Sequence, residues 1–489
     1  MAGKSSALSR YSTPTVNILY VSAEVAPFAK TGGLGDVAAA LPRQLARHGH
    51  DVRVFVPFYS KIATEGRIFE AVPGVRDIDV RLGSHQYRFS LYQSKLPGSD
   101  LQVYFVHCPV LYHRPGIYTA DPDEHLRFLL LCRAALESAQ RLQFAPDIVH
   151  CNDWQTGLLP LMLKTQYGWD KLFARAKTVF TIHNLQYQGV FRADVLPDTG
   201  MADSAHLFHQ EQLREGRLNF MVTGILYADA ITTVSPTYSR EIQGPEQGAG
   251  IDGLLRQRSS ALVGILNGVD YDEWSPETDK HIPQHYSAAD LELKARNKEH
   301  LLRSMGLPGP LEVPVAGVVS RLAGQKGLDL FFEAAPQVLN RHETRLVLLG
   351  SGESRYEEFF KQLQRAFPRK VCFYSGYNNG LAHMIEAGAD MFLMPSRYEP
   401  CGLNQMYSLR YGTVPVVRRT GGLADTVDNS TGFLFETYAP EALRATWELA
   451  LRAWRDQPFW RRLQLNGMSR NYSWDQQTRK YEILYSRLH

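Results

Sequence analysis

Short apolar runs alternate with helical stretches twice along this chain, and that alternation limits the folds open to it. From Val16 the runs VNILYVSAEV, DVRVFVPFY, LQVYFVH, PDIVHCND, KTVFTIHN, AITTVS and LVGILNG follow one another. Between some of them lie helical stretches such as VAAALPRQLARHG, stopped by Gly49, and EHLRFLLLCRAALESAQRL. A strand buried on both faces reads as a nearly continuous apolar run, and helices between such strands imply a parallel sheet covered on both sides. After a polar stretch at about 270–312 the pattern restarts with PVAGVVSRL, TRLVLLGSG, KVCFYSG, ADMFLMPS and VPVVRR. Single cores stop growing at roughly 250–300 residues, and this chain has 489. The expected architecture is α/β, with two doubly wound domains facing across a cleft.

Composition narrows the functional classes. Lys and Arg total 53 against 50 Asp and Glu, a net charge of +3, so nothing points to nucleic acid or an anionic membrane as partner. No apolar run reaches the ~18 residues of a membrane-spanning helix. The first residues, MAGKSSALSRYSTP, are polar and lack the apolar core of a secretory signal. Five cysteines, an odd number without a CxxC pair, suit a reducing compartment better than a disulfide framework. The reading is a cytoplasmic protein with a disordered tail at residues 1–13. No sequence feature assigns an oligomeric state.

In doubly wound sheets ligands bind beyond the carboxyl ends of strands, so the loops after strands carry the candidates. Lys30-Thr31-Gly32-Gly33-Leu34-Gly35-Asp36 joins a strand to a helix. Its glycines let backbone N–H groups approach an anion, Lys30 adds a cation, and Asp36 can accept sugar hydroxyls; the bland reading is a tight turn with a solvated lysine. The loop is neither G-x-x-x-x-G-K-[ST] nor G-x-G-x-x-G, which weakens nucleotide-hydrolase and nicotinamide-oxidoreductase readings. Arg321 and Lys326, five residues apart after PVAGVVS, suit a diphosphate or are solvated surface cations. Glu399 opens a helix in SRYEPCGL, as a ligand for sugar hydroxyls or as a helix cap. Cys401 beside it reads as a buried structural thiol. In RRTGGLAD, Thr420, Gly421 and Gly422 follow two arginines, exposing backbone donors or simply turning. His183, ending KTVFTIH, is a site residue or a satisfied structural histidine. Asp153-Trp154, after PDIVHCN, pairs a carboxylate with an aromatic face, as a sugar requires, or places a tryptophan on a core edge. Gly-rich, cationic and carboxylate loops in both halves fit a phosphorylated, polyhydroxylated substrate.

These residues sit inside longer phrases: SAEVAPFAKTGGLGDV, VHCNDWQTGLLP, FTIHNLQYQGVF, YADAITTVSPTYSREIQ, ILNGVDYDEW, SRLAGQKGLDL, MPSRYEPCGLNQMYSLRYGT and RRTGGLADTV. From about Val16 to the C-terminus the chain resembles the glycogen and starch synthase family, the bacterial ADP-glucose type in particular. The resemblance implies a GT-B fold, two Rossmann-like domains with the active site between them. The boundaries it suggests are 14–265 for an acceptor-side domain, completed by a C-terminal helix at 474–489, and 266–473 for a nucleotide-sugar domain. It implies transfer of glucose from ADP-glucose to glycogen or another α-1,4-glucan, with retention and with neither metal nor cofactor. A UDP-glucose enzyme of the same fold and a non-catalytic glucan-binding relative are the alternatives.

By the same resemblance His183, Arg321, Lys326 and Glu399 carry the chemistry. Lys30, Gly32, Gly33 and Asp36 lie near the donor diphosphate and glucose, and Asp153 near the acceptor. Tyr377 stacks on adenine. Tyr118, Asn267, Cys401, Gly402, Leu403, Thr420, Gly421 and Gly422 complete the substrate contacts.

Overall fold

The computed structural model describes residues 15–307 and 309–489; the tail at 1–13, expected to be disordered, lies outside the described residues. The chain divides into two compact units. The first comprises Met1–Thr232, Gly253–Leu262 and Thr478–His489; the second comprises Thr233–Asp252 and Val263–Gln477.

The first unit is built on a ten-stranded sheet. Its centre runs, side by side, Gln102–His107, Asp51–Pro57, Asn17–Val21, Ile148–Asn152, Lys177–Ile182 and Ala230–Thr233. Those strands are third, second, first, fourth, fifth and sixth in chain order among themselves. The pairings from Gln102–His107 to Lys177–Ile182 are all parallel. Ile148–Asn152 is buried along its whole length, as a strand covered on both faces must be. The helix Gly33–Arg47 turns Leu34, Val37, Ala38, Leu41 and Leu45 into the core, spaced at the helical period. Beyond the parallel core, His85–Lys95 adds antiparallel to Gln102–His107 and pairs in turn with Ile78–Leu82 and Glu70–Ala71.

The second unit holds six parallel strands in the order Val371–Ser375, Arg345–Gly350, Val315–Val319, Met391–Met394, Val414–Arg418, Phe433–Phe435. Counted along the chain, that is again three-two-one-four-five-six. Its core packs the inner face of helix Phe331–Arg341, with Phe331, Ala334, Ala335 and Val338, against Trp447 and Trp460.

This order reverses direction between the first and fourth strands, and there the loops at the carboxyl ends diverge and leave a crevice. In the first unit the loops at that point follow Val21 and Asn152; in the second they follow Val319 and Met394. The sequence-named residues Lys30, Asp153, Arg321, Lys326 and Glu399 all lie on those four loops.

Candidate active site

In the second unit the two loops at the switch point are joined by an ion pair. Lys326 Nζ lies 2.7 Å from Glu399 Oε2, and the Ser396 hydroxyl donates to the same oxygen at 2.9 Å. Glu399 is only 4% exposed, so a carboxylate taken out of water is held by one cation and one hydroxyl, as burial of charge demands. A cavity of ≈ 320 Å³ opens beside the pair, and Arg321, Lys326, Tyr377, Gly402 and Leu403 line it. Arg321 is exposed. Tyr377 is 83% exposed, its hydroxyl donating to Asn379 Oδ1 at 3.2 Å, so its ring is open to a planar ligand. Cys401 is buried, and burial above all pushes its thiol up to about 12, which makes it inert as a nucleophile. Asn267 is buried beside it, and its Oδ1 has no hydrogen-bond partner among the described residues.

The loop Thr420-Gly421-Gly422 does not present its donors to the cavity. Thr420 Oγ1 and the Gly421 N–H donate to Glu241 Oε1, each at 3.0 Å. The Gly422 N–H donates to the Glu399 carbonyl at 3.1 Å. A Cβ on Gly421 would lie 1.8 Å from the Glu399 carbonyl oxygen, and one on Gly422 2.0 Å from that of Cys401. Both residues are glycine because this loop lies against the Glu399–Cys401 backbone.

In the first unit the strand-end residues form a mostly neutral set, with His183 and Asn152 buried and Asp153 half-buried. His183 donates its backbone N–H to Asp153 Oδ1 at 2.7 Å, and its ring Nε2 lies 3.0 Å from Asn152 Oδ1. Asn152 donates its amide to the Val21 carbonyl and accepts from the Tyr20 hydroxyl, both at 3.0 Å. Its Oδ1 is thus the acceptor, and Nε2 of His183 carries the proton. Burial pushes the His183 imidazole down to about 3, so the ring is neutral. Loss of solvation pushes Asp153 up to about 7, against the pull of the His183 and Asn184 N–H groups. Asp153 holds φ 54° and ψ −176°, a combination that costs a non-glycine residue roughly 1–3 kcal/mol and collects at functional sites.

The Lys30 loop is arranged around a carboxylate that sequence reasoning did not single out. Glu24, 2% exposed, accepts from the Thr31 N–H at 2.6 Å, the Thr31 hydroxyl at 2.7 Å and the Gly32 N–H at 3.3 Å. The Tyr118 hydroxyl reaches it at 2.6 Å. Lys30 and Asp36 pair at 2.7 Å on the surface. Around Gly32 and Gly33 a Cβ would meet nothing within 4 Å. Trp154, beside Asp153, is packed by Phe128 at 4.9 Å and Phe191 at 5.7 Å. It is the edge-of-core tryptophan of the two readings, not a free sugar platform.

Comparison with known proteins decides the family. A family model described as the starch synthase catalytic domain matches residues 17–257, and one described as glycosyl transferases group 1 matches residues 307–462. The chain is 47% identical over 483 residues to a glycogen synthase of Anaeromyxobacter sp. (strain Fw109-5), covering 97% of this chain and 99% of the relative. It is 47% identical over 479 residues to a glycogen synthase of Myxococcus xanthus (strain DK1622), covering 96% and 99%. The chain belongs to the glycogen synthase family. Among solved structures it is similar to the catalytic domain of starch synthase IV from Arabidopsis thaliana bound to ADP and acarbose, with TM-score 0.89, 33% identity and 97% and 99% of the two chains covered. A sucrose-phosphate synthase from Thermosynechococcus elongatus, at TM-score 0.61 and 18% identity, shares the fold. The protein is a hexosyltransferase of GT-B fold.

Of the loops that sequence reading picked out, those carrying Lys30, Asp153, Arg321 with Lys326, and Glu399 lie at the switch points of the two sheets, while those carrying His183 and Thr420 follow the next strands outward, Lys177–Ile182 and Val414–Arg418. What that reading missed are the groups that hold those loops: Glu24, Asn152, Glu241 and Ser396. Only Glu24 left a signal, a lone carboxylate just past the apolar strand NILYV. Among the described residues no cluster of three His, Cys, Asp or Glu could hold a metal ion, and no helix is long and apolar enough to cross a membrane.

Proposed function

We propose that this glycogen synthase transfers glucose from ADP-glucose to the non-reducing end of an α-1,4-glucan in the cytoplasm, with retention at the anomeric carbon. The observation that carries the reading is the arrangement in the second unit: two cations, Arg321 and Lys326, line one cavity with the exposed ring of Tyr377, and Lys326 is paired to the buried Glu399. An arginine fork and a lysine point charge suit a diphosphate. The open tyrosine ring suits a base, and a held carboxylate suits adjacent sugar hydroxyls.

In the reaction the bond from the anomeric carbon to the phosphate oxygen breaks, its electron pair leaving with ADP. The acceptor's 4-hydroxyl attacks from the face the phosphate leaves, and its proton passes to a phosphate oxygen. Arg321 and Lys326 stabilise the charge gathering on the diphosphate. Glu399 orients the glucose, and Asn267 offers its unpaired Oδ1 to the ligand. His183, neutral and fixed by Asn152, and Asp153, fixed by the His183 N–H, orient the reacting sugar and the acceptor, with Lys30, Asp36 and Tyr118 alongside. The carboxylates at these strand ends are already committed, Glu399 to Lys326, Asp153 to a backbone N–H and Glu24 to the Thr31–Gly32 loop, which favours front-face attack over a covalent glycosyl intermediate.

The test is transfer of radiolabelled glucose to glycogen from ADP-glucose and UDP-glucose side by side. Label appearing in longer chains mainly from ADP-glucose supports the reading. Faster transfer from UDP-glucose overturns the donor assignment, and donor left unspent in both arms overturns catalysis altogether.

A further inference from the structure

In the first unit a tryptophan stands in solvent on a turn that is unusually well fixed. Trp169 is 75% exposed, yet its indole N–H donates to the Gln166 carbonyl at 2.9 Å. Gln166 is held by its side chain, which accepts from Arg133 at 3.0 Å and donates to the carbonyls of Thr199 and Gly200, each at 3.1 Å. On the other flank Asp170 accepts from Gln140 at 2.6 Å and from the Leu172 N–H at 2.9 Å. Between them Tyr167 is buried, its hydroxyl on Glu137 at 3.0 Å. The ring's single polar atom is satisfied within the turn, so what faces water is the apolar indole surface, already ordered.

This turn joins helix Leu159–Lys164 to strand Lys177–Ile182 and so lies at the amino ends of the parallel strands. Asp153 and His183 follow the carboxyl ends of Ile148–Asn152 and Lys177–Ile182. A strand of five residues separates the two ends by about 16 Å. Trp169 therefore belongs to a different face of the unit from the catalytic loops.

We propose that Trp169 is an accessory platform for α-glucan, distinct from the acceptor site; the assignment rests on the reading that the protein elongates such glucans. A pyranose ring presents a face of C–H groups that stacks on an indole without needing the indole N–H. An aromatic ordered before binding loses little freedom when the sugar arrives. Holding a polymer on a second face raises the local concentration of its chain ends, so the gain falls on glycogen and not on short acceptors.

The experiment compares the full-length protein with Trp169→Ala and Trp169→Phe, using glycogen and maltotriose as acceptors and migration in glycogen-containing native gels. Trp169→Ala is expected to raise the apparent KM for glycogen roughly five- to tenfold and to lose retardation in the gel. Transfer to maltotriose is expected to stay unchanged, and Trp169→Phe to retain most of the glycogen affinity. Unchanged glycogen KM in Trp169→Ala overturns the proposal, as does an equal loss on maltotriose or a changed oligomeric state in sedimentation. Wild-type protein that transfers to neither acceptor defeats the functional reading instead, which separates the two failures.

Discussion

The tetrapeptide Thr-Gly-Gly-Leu occurs at 31–34 and again at 420–423, and the two copies are alike in one respect and opposite in another. In each, the threonine hydroxyl and the first glycine N–H donate to a glutamate carboxylate from elsewhere in the same unit, Glu24 in one and Glu241 in the other. That shared cap follows from local chemistry, since a helix start leaves N–H groups unpaired and attracts negative charge. The surroundings differ. Beside Gly32 and Gly33 there is open space, whereas Gly421 and Gly422 lie against the backbone that carries Glu399 and Cys401. The first pair leaves room for a ligand; the second brings two protein loops together. Identical residues serve different ends because the chain around them differs.

If the second loop exists to keep Glu399 opposite Lys326, the charges themselves should matter most. Arg321→Ala and Lys326→Ala are each expected to lower kcat by roughly 10²–10³; near-normal turnover in both would remove the reason for holding Glu399 at all. Next comes Gly421→Ala, whose methyl must push the Glu399 carbonyl away. A shift of about 1 Å at a catalytic group costs about 10² in rate, and overpacking costs roughly 1–3 kcal/mol; kcat together with urea unfolding measures both. A variant with wild-type kcat would show that the contact is dispensable.

The two regions should also separate in acid. Burial pushes His183 and His150, both in the first unit, down to about 3. The unfolded chain therefore takes up their protons first, and the stability they contribute is present above about pH 6.5 and is lost as pH falls toward 3. Asp153, raised to about 7, works in the opposite sense, since its folded state keeps a proton that the unfolded chain has released. At pH 5 the two imidazoles outweigh the one carboxyl, leaving a net slope of about 1.4 kcal/mol per pH unit. Amide exchange at pH 7.5 and pH 5 should show the first unit opening more readily in acid; protection that rises there on acidification would contradict this.

The smallest effect is expected at Gly33→Ala. It introduces a better helix former where nothing obstructs the methyl, so thermal stability should hold or rise by less than about 1 kcal/mol. Any loss should fall on the KM for the sugar nucleotide. Destabilisation comparable to that of Gly421→Ala would erase the distinction between the two loops.

The legible features of the chain are the local ones. The five strands expected in the second half all form; four are buried almost throughout and so must be apolar, while Val371–Ser375, at the sheet edge, buries only Val371. The hairpin Ile78–Leu82 with His85–Lys95 was not foreseen. Half-exposed strands such as HQYRFSLYQSK mix polar and apolar residues and give no continuous run. In the site, Lys326 and Glu399 were legible as residues on strand-end loops, and Asp153 and His183 likewise. The roles of the glycines were not. Gly32 and Gly421 look the same in one dimension, and Trp154 and Trp169 gave no hint of which ring would be enclosed and which left in water.

The order of apolar runs and helices along the chain was enough to determine two doubly wound units and the loops that follow their strands, since burial on both faces and the helical period are written residue by residue. Only the tertiary structure decided which charges meet. Lys326 and Glu399 stand 73 positions apart, and Glu241 and Thr420 stand 179 apart. Their pairing depends on which strands lie side by side, and no local pattern records that.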